Sequence, residues 1–397
     1  RLFQKVAGSL TIGEAGENGQ EGHVQWAVDY YQDMQFYAGA IQLCLTVADE
    51  KDKAGLALSY LKDEKPDADP RQSAYLVREQ CYRFIFAMIQ KLDQESRAAT
   101  DGMDGQFSVA AKRRNEAYDV INGSGDTVFQ TCLYDWYLET RQEDRLLEIT
   151  SPFVPQFLRQ RANDWNREAA DLLWRYYVHN NDYLEAADTQ LHLARGEFPI
   201  TLEERMAYLS RARTNASTRQ SALVESRHSK QQLLSDIDTQ LELASIQDDI
   251  YQRMKHDPRV PEERRPRILA LLNSTILTID ELYNTYADQA GYHDLCILIY
   301  QVADHRNPAD IRASWQELIN QTSREALLLR DALPWEAVGD KVRNLGRRLQ
   351  GADATFPVQT LLPMLERYSL EDAAQGAPKT WAIDIFLNVD IPHESLL

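Results

Sequence analysis

The sequence predicts an all-α protein, an irregular α-solenoid of stacked helical hairpins. Apolar residues recur at three- and four-residue spacing along nearly the whole chain, while alternating β-branched runs of strand length are absent from the sequence. A second observation is a spacing of two tyrosines and one alanine that occurs three times. A lone helical hairpin cannot bury both of its apolar faces, so successive hairpins are expected to stack.

Glycine, proline and polar clusters divide the helical pattern into segments of one or two helices. Asp126 and Ser151 are placed to begin helices, and Thr201 with Glu204 has the spacing of a capping box. Residues 221–257 include neither glycine nor proline, which predicts one long helix. The predicted breaks are 13–22, 62–70, 98–106, 123–125, 151–152, 196–199, 257–266, 307–308, 351–357 and 376–378.

The repeated spacing predicts where three of the hairpins turn. Each copy reads Tyr, five residues, Tyr, ten residues, Ala, with one helix ending near the first tyrosine and another beginning near the second. The copies are irregularly spaced, which argues against tetratricopeptide or ankyrin arrays. The three sets are Tyr31, Tyr37 and Ala48; Tyr177, Tyr183 and Ala194; and Tyr286, Tyr292 and Ala303.

The predicted organisation is one helical solenoid over residues 1–397. A chain of 397 residues would normally form two or three compact domains, but stacked repeats are not bound by that limit. The breaks suggest sub-blocks at 1–125, 126–258 and 259–397. The pattern opens at Arg1 and stops at Leu397 inside an apparent helix, which suggests a piece of a longer solenoid.

The net charge indicates which partners the protein could bind, and the positions of the cysteines indicate their redox state. The formal net charge of −18 repels phosphate backbones and anionic lipid headgroups, so we expect no direct contact with nucleic acid or with a membrane. Basic linear segments of other proteins would be attracted. The cysteines lie singly in helical stretches and are predicted to be reduced core residues: Cys44, Cys81, Cys132 and Cys296.

The sequence gives no sign of a catalytic, metal or cofactor site. Its eight histidines include no pair at the three- or four-residue spacing that places two ligands on one helix face. The glycine-rich turn at 123–126 lacks the preceding strand and the following lysine of a phosphate loop. A strained nucleophile elbow of the GxSxG type does not occur. We therefore expect a protein that is not an enzyme and has no cofactor.

Clusters of aromatic residues provide most of the candidates for the core and for a peptide-binding site. Adjacent aromatic residues cannot both face the same side of one helix, so some could line a groove. The predicted core residues are Trp136, Leu173, Trp174, Tyr177, Tyr183, Ala187, Tyr208 and Leu209. The candidate anchor for a partner peptide, beside the acidic loop at 13–22, comprises Trp26, Tyr30, Phe36 and Tyr37. The alternative that these four rings cap the core stays open.

Several runs resemble a known family. The run from Asp171 to Tyr177 and its continuation through 181–187 to 193–194 resemble the large inner-ring scaffold nucleoporins of the nucleoporin 155/170 family. Residues 202–212 resemble the same family, and further support comes, in the same order, from 133–137, 151–153 and 381–392. The resemblance implies the C-terminal α-solenoid portion of such a protein, with the family's N-terminal β-propeller expected to be absent from this sequence.

The resemblance also implies a function and a location. It implies a structural scaffold of the nuclear pore complex inner ring, at the nuclear envelope, that acts in pore assembly and in protein and mRNA transport. The implied partners are short linear motifs of linker nucleoporins, including the self-cleaving nucleoporin with Gly-Leu-Phe-Gly repeats, and other inner-ring nucleoporins. A vesicle-coat or tethering-complex α-solenoid would share the hairpin pattern and is the alternative.

Overall fold

The computed structural model is helical throughout the part of the chain that it describes. That part comprises residues 7–11, 23–63, 65–100, 109–162, 166–218, 224–329, 332–349, 354–389 and 391. Within it every regular element is a helix, so the all-α prediction is confirmed. Unit 1 is formed by residues 1–163 and 168–180, and unit 2 by residues 164–167 and 181–397. The sub-blocks suggested by the sequence, with boundaries at 125 and 258, stay a prediction.

Unit 1 is organised around one long helix. This helix, α4, packs against α2, α3, α5 and α6 of the same unit. Helix α2 is buried on several sides because its alanines and aliphatic residues are spread around the helix rather than along one stripe. The helices are α1 His23–Asp33, α2 Tyr37–Lys51, α3 Leu56–Lys62, α4 Gln72–Thr100, α5 Val109–Asn122, α6 Thr127–Glu139, α7 Asp144–Glu148, α8 Phe153–Arg161 and α9 Arg167–His179.

A buried arginine on α4 connects the starts of two other helices. Arg78 donates from Nε to Oδ2 of Asp52 at 2.9 Å and from Nη1 to Oδ2 of Asp126 at 2.9 Å. Asp52 also accepts from the backbone N–H of Leu56 at the start of α3, at 2.8 Å. Asp126 accepts from the N–H of Val128 at 3.0 Å and so caps α6, as its sequence position predicted. One guanidinium therefore neutralises both carboxylates that cap the N-termini of α3 and α6.

Unit 2 is a succession of helices that pack chiefly on their neighbours in sequence. Helix α10 packs on α11, α11 on α12, α15 on α16 and α16 on α17, which is the pattern expected of stacked hairpins. The helices are α10 Tyr183–Arg195, α11 Leu202–Ser217, α12 Val224–His256, α13 Arg265–Leu272, α14 (279–290), α15 His293–Val302, α16 Pro308–Leu329, α17 Pro334–Arg348, α18 Val358–Tyr368 and α19 Trp381–Leu387. Helix α14 contains a π-helical turn at Leu282–Ala287.

Local sequence signals place several of these elements correctly. The long helix predicted over 221–257 is observed as α12. Thr201 and Glu204 form the predicted capping box, with the N–H of Thr201 donating to Oε2 of Glu204 at 2.9 Å. The three predicted hairpin turns each contain a residue with positive φ, and the second helix begins at or directly after the second tyrosine. The turn residues are Gln35 at 55°, Asn181 at 60° and Gly291 at 68°.

The predicted core residues divide into two groups. Leu173, Tyr177, Ala187, Tyr208 and Leu209 are buried. The other three are partly buried, and each ring has a polar or stacked edge. Trp174 donates from Nε1 to Oδ1 of Asp171 at 2.9 Å, Tyr183 donates its hydroxyl proton to Asn181 at 3.0 Å, and Trp136 stacks face to face on Phe86 with ring centroids 5.0 Å apart.

The most enclosed charge of unit 2 is the guanidinium of Arg205 on α11. Arg205 is 1% exposed and donates to the carbonyl oxygens of Ala194 and Gly196, each at 2.7 Å, and of Phe198 at 2.8 Å. Its Nε donates to the carbonyl of Ser274 at 2.6 Å. Burial lowers the pKa of Arg205. Four backbone carbonyls thus solvate this cation, and no carboxylate of the described residues pairs with it. The guanidinium joins the end of α10 to the turn after α13.

A second tie of unit 2 is an ion-pair cluster on Asp294 of α15. Arg253 on α12 donates to both carboxylate oxygens of Asp294, at 2.7 and 2.6 Å, and Nζ of Lys341 on α17 lies 2.7 Å from Oδ2. Burial alone would raise the pKa of Asp294. The hydrogen bonds from Arg253 and the charge of Lys341 outweigh burial and hold that pKa well below its usual value.

We expect Arg205→Met to destabilise the protein strongly. The methionine fills a similar volume but leaves the carbonyls of Ala194, Gly196 and Ser274 without the donor they have in the wild type. The free energy of unfolding should therefore fall by about 3 kcal/mol or more. Urea unfolding measures this change. Arg312→Met, on the exposed face of α16, is the control and should change the free energy of unfolding by less than about 0.5 kcal/mol. Equal effects of the two substitutions would contradict the role of Arg205.

The Asp294 cluster predicts a pH dependence of stability. A carboxyl whose pKa is depressed by folding contributes stability above its unfolded pKa of about 3.9 and loses it as the pH falls towards the folded pKa. Asp294→Asn should therefore be less stable than the wild type at pH 7, and the difference should shrink below about pH 4. Melting temperatures of both proteins between pH 3 and pH 7 test this. A difference that stays constant over that range would contradict it.

Candidate peptide-docking surface

An exposed aromatic patch lies on α1 and the turn that follows it. Trp26 and Tyr30 are four residues apart on α1, and their rings stack with centroids 5.9 Å apart and an interplanar angle of 19°. Met34 continues the same face at the end of the helix, and Phe36 follows in the turn. Trp26, Tyr30, Met34 and Phe36 are 56%, 49%, 63% and 53% exposed, and we call these four residues the aromatic patch.

The turn between α1 and α2 holds Phe36 in place. Gln35 has a φ of 55°, and the N–H of Phe36 donates to the carbonyl of Tyr31 at 2.9 Å. The ring of Phe36 lies directly on Gly39, where an added Cβ would be only 2.3 Å from Cε1 of the ring. Glycine at position 39 therefore lets the ring approach α2 closely while Phe36 stays 53% exposed.

Tyr37 does not belong to this patch. It is 4% exposed and is the first residue of α2, where Nζ of Lys91 lies 5.7 Å from its ring centroid. The inclusion of Tyr37 in the predicted binding site is corrected on this ground, since Phe36 and Tyr37 are adjacent and their side chains diverge. Sequence reasoning missed Met34, although its spacing of four from Tyr30 and eight from Trp26 is the helical signal that could have found it.

Polar and charged groups surround the aromatic patch. Lys91 donates to the side chain of Gln32 at 3.4 Å, and Arg113 donates to the side chain of Gln35, so both ends of the turn are tied to α4 and α5. Asp29 accepts from Gln25 at 2.9 Å. The acidic loop predicted at 13–22 lies outside the described residues. The patch thus lies on α1 and on a turn that side chains of α4 and α5 hold in place.

The four cysteines lie inside the fold. All four cysteines are buried free thiols, as predicted, and burial raises the pKa of each, to about 11 for Cys132. They are protonated at neutral pH and so are weak nucleophiles. Within the described ranges, His, Cys, Asp and Glu side chains form no group of three that could hold a metal ion. No helix in those ranges is long and apolar enough to cross a bilayer.

Comparison with known proteins identifies the family. The family described as non-repetitive/WGA-negative nucleoporin C-terminal matches residues 1–397. The chain belongs to this nucleoporin family. Nucleoporin NUP170 of Chaetomium thermophilum is 39% identical over 418 residues that cover 99% of this chain, and a probable nucleoporin of Schizosaccharomyces pombe is 33% identical over 99% of it. The resemblance predicted from the sequence, and with it the location at the nuclear pore complex, is confirmed.

Solved structures of nucleoporins agree with the fold. The Chaetomium thermophilum Nup170 CTD in its complex with Nup145N matches 100% of this chain and 76% of that chain, with a TM-score of 0.88 at 39% identity. The Nup170 CTD structure from the same organism matches 99% of this chain and 72% of that chain, with a TM-score of 0.85. The predicted fold class is confirmed. The chain spans less than a third of the length of the relatives, 29% of NUP170 and 28% of the S. pombe nucleoporin.

Stability measurements should separate the exposed patch from the core. Trp26→Ala should cost less than about 1 kcal/mol, since more than half of the side chain is in contact with solvent. Tyr37→Ala should cost about 3–5 kcal/mol because it empties a buried site. Thermal unfolding of the two variants measures both values. A loss for Trp26→Ala as large as that for Tyr37→Ala would show that the patch caps the core.

Proposed function

We propose that this chain is part of a structural scaffold in the inner ring of the nuclear pore complex and is not an enzyme. The observation that carries the proposal is the match of the whole chain to the Nup170 CTD, a structure solved as a complex with Nup145N. Family membership favours this scaffold over the vesicle-coat or tethering alternative. Through its place in the scaffold the chain would serve pore assembly and protein and mRNA transport.

The scaffold would act by holding short linear segments of linker nucleoporins. A docked segment loses its conformational freedom, so a preformed apolar anchor on the host is needed to offset that cost. The aromatic patch fits this requirement, because Trp26 and Tyr30 on α1 and Phe36 in the turn after it present rings on backbone that is already ordered. The segment would come from a Nup145N-type linker, from the self-cleaving nucleoporin with Gly-Leu-Phe-Gly repeats, or from other inner-ring nucleoporins.

The charge of the chain suggests what else such a segment carries. A net charge of −18 favours partners with lysine or arginine beside their apolar anchors. Charge steering of this kind weakens as salt is added, whereas burial of the apolar anchors does not. The proposed segment therefore has apolar side chains flanked by basic ones.

Titration calorimetry of a peptide into the 397-residue chain tests the docking site. The peptide is the Nup145N segment seen in the complex with the Nup170 CTD. Tyr30→Ala and Phe36→Ala should each weaken binding by about 1–2 kcal/mol, which is about five- to thirtyfold. The control is Leu370→Ala, which removes a comparable apolar side chain that is 86% exposed on unit 2 and should leave the affinity unchanged.

The outcomes of these experiments test the aromatic patch, linker docking and the scaffold assignment separately. Unchanged affinity in Tyr30→Ala and Phe36→Ala, with folding intact, would remove the aromatic patch as the anchor. Failure of the wild-type chain to bind the peptide would remove linker docking from this segment. Recovery of coat or tether subunits in place of pore components, in a pull-down from nuclear-envelope extract, would overturn the scaffold assignment.

A further inference from the structure

A cleft in unit 2 forms where helix α14 departs from regular α-helical geometry. The N–H of Asp288 donates to the carbonyl of Tyr283, five residues earlier, as in a π-helix. Single π-turns occur frequently at functional sites, because they turn side chains out of the regular helical register. Tyr283 and Asn284 of this turn line a cleft of about 620 Å³ that also involves α15 and α16. We call it the acidic cleft.

The acidic cleft carries negative charge that the described residues do not neutralise. Asp280, Asp288 and Glu317 line it, are exposed, and have no lysine or arginine within ion-pair distance among the described residues. A fourth carboxylate, Asp310, interacts with Nε2 of His305 at 2.9 Å and accepts from Asn307 at 2.7 Å. Arg253 and Lys341, by contrast, are bound to Asp294 outside this cleft. A cation that enters the cleft therefore meets carboxylates that no described lysine or arginine side chain already pairs with.

Aromatic rings and aliphatic side chains form the walls of the acidic cleft. The hydroxyls of Tyr283 and Tyr300 are hydrogen-bonded at 2.8 Å, with ring centroids 5.5 Å apart, and the imidazole of His305 lies 4.8 Å from the ring of Tyr300. The partly exposed side chain of Ile279 adds apolar surface. A planar guanidinium can stack on such rings and still direct its N–H groups towards carboxylates.

One buried hydroxyl points to a ligand independently of the charge. Ser314 on α16 lines the cleft and is only 9% exposed, yet its Oγ makes no hydrogen bond with any described residue. Serines and threonines in helices commonly donate to the carbonyl four residues earlier, as Thr189 does to Glu185 at 2.8 Å. The hydroxyl therefore faces the cleft with its hydrogen-bonding capacity available to a ligand.

We propose that the acidic cleft binds an arginine side chain from a linear, basic segment of a partner protein. The carboxylates of Asp288 and Glu317 supply the charge, the partly exposed rings of Tyr283 and His305 supply the stacking surface, and Ser314 supplies a hydrogen-bonding group. Nucleic acids and anionic lipids are repelled by the same carboxylates. This site uses residues of unit 2 alone and stands independently of the aromatic patch of unit 1.

Two synthetic peptides test the proposal on the 397-residue chain. The first is a fluorescently labelled nonapeptide with two arginines set between leucines and glycines, and the second carries citrulline, a neutral isostere, in place of each arginine. Fluorescence anisotropy should show that, at 50 mM salt, the arginine peptide binds about tenfold more tightly than the citrulline peptide. This difference in affinity should shrink several-fold at 300 mM salt, because the carboxylates of Asp288 and Glu317 are exposed and salt screens them.

Matched variants locate the binding. Asp288→Asn combined with Glu317→Gln should weaken binding of the arginine peptide about fivefold or more. The control pair Glu336→Gln and Glu366→Gln removes the same charge from exposed positions outside the cleft and should have less than a twofold effect. Ser314→Ala should weaken binding without lowering the melting temperature, since its hydroxyl has no partner within the described residues.

Three results would overturn the proposal. The first is equal binding of the arginine and citrulline peptides, and the second is equal weakening by the two charge-neutralised pairs, which would leave only the net charge at work. The third is no binding by the wild-type chain at 50 mM salt. A lower melting temperature in Ser314→Ala would also overturn the role given to Ser314, because it would reveal a structural partner for the hydroxyl.

Discussion

The backbone groups at helix ends are the constraint on which both units depend. The first N–H groups and the last carbonyls of a helix have no partner within it, and a chain of short helices brings many such ends into apolar surroundings. In unit 2 the guanidinium of Arg205 serves the carbonyl of Ala194 in the last turn of α10 and three carbonyls just beyond helix ends, those of Gly196, Phe198 and Ser274. In unit 1 Asp52 and Asp126 serve N–H groups, and Arg78 neutralises both carboxylates. Helices therefore contact each other through packed apolar faces and also through side-chain hydrogen bonds at their ends. Neighbouring helices can then differ widely in length without leaving buried backbone groups unsatisfied.

A related device ends several helices. The carbonyls of Tyr31, Tyr137 and Tyr300 each accept from the N–H five residues later, at 2.9, 2.8 and 2.9 Å. The residue before each donor is left-handed, as in a Schellman motif, and none of the three is glycine: Gln35, Arg141 and Asp304. A side chain in that conformation costs about 1 kcal/mol, which the cap and the packing of the next helix offset. The tyrosine spacing thus located the turn at Gln35, but without a glycine the sequence did not reveal the type of cap.

Local signals and buried polar groups differ in how far they could be predicted. The fold class, the cap of Asp126 and the capping box at Thr201 follow from spacing and hydrogen-bonding capacity, which act over a few residues. Arg205 could not be predicted as buried, because an arginine in a polar helix is ordinarily at the surface and its acceptors include Ser274, far away in sequence. Of the four residues predicted as the peptide anchor, Trp26, Tyr30 and Phe36 are exposed. Tyr37 is buried, because α2 begins there and turns its ring inward.

Both candidate binding surfaces lie where the helical pattern is interrupted. Regular hairpins bury their apolar stripes against the next hairpin, so a regular stack leaves few rings exposed. At the turn after α1 the left-handed Gln35 directs Phe36 over Gly39 and out towards solvent, and at α14 the π-turn brings Tyr283 and Asn284 into a cleft. These irregularities are held by hydrogen bonds of the fold, so a partner would meet surfaces that need little reordering. An irregular solenoid can therefore carry distinct binding sites along its length, whereas a perfectly regular one would repeat a single surface.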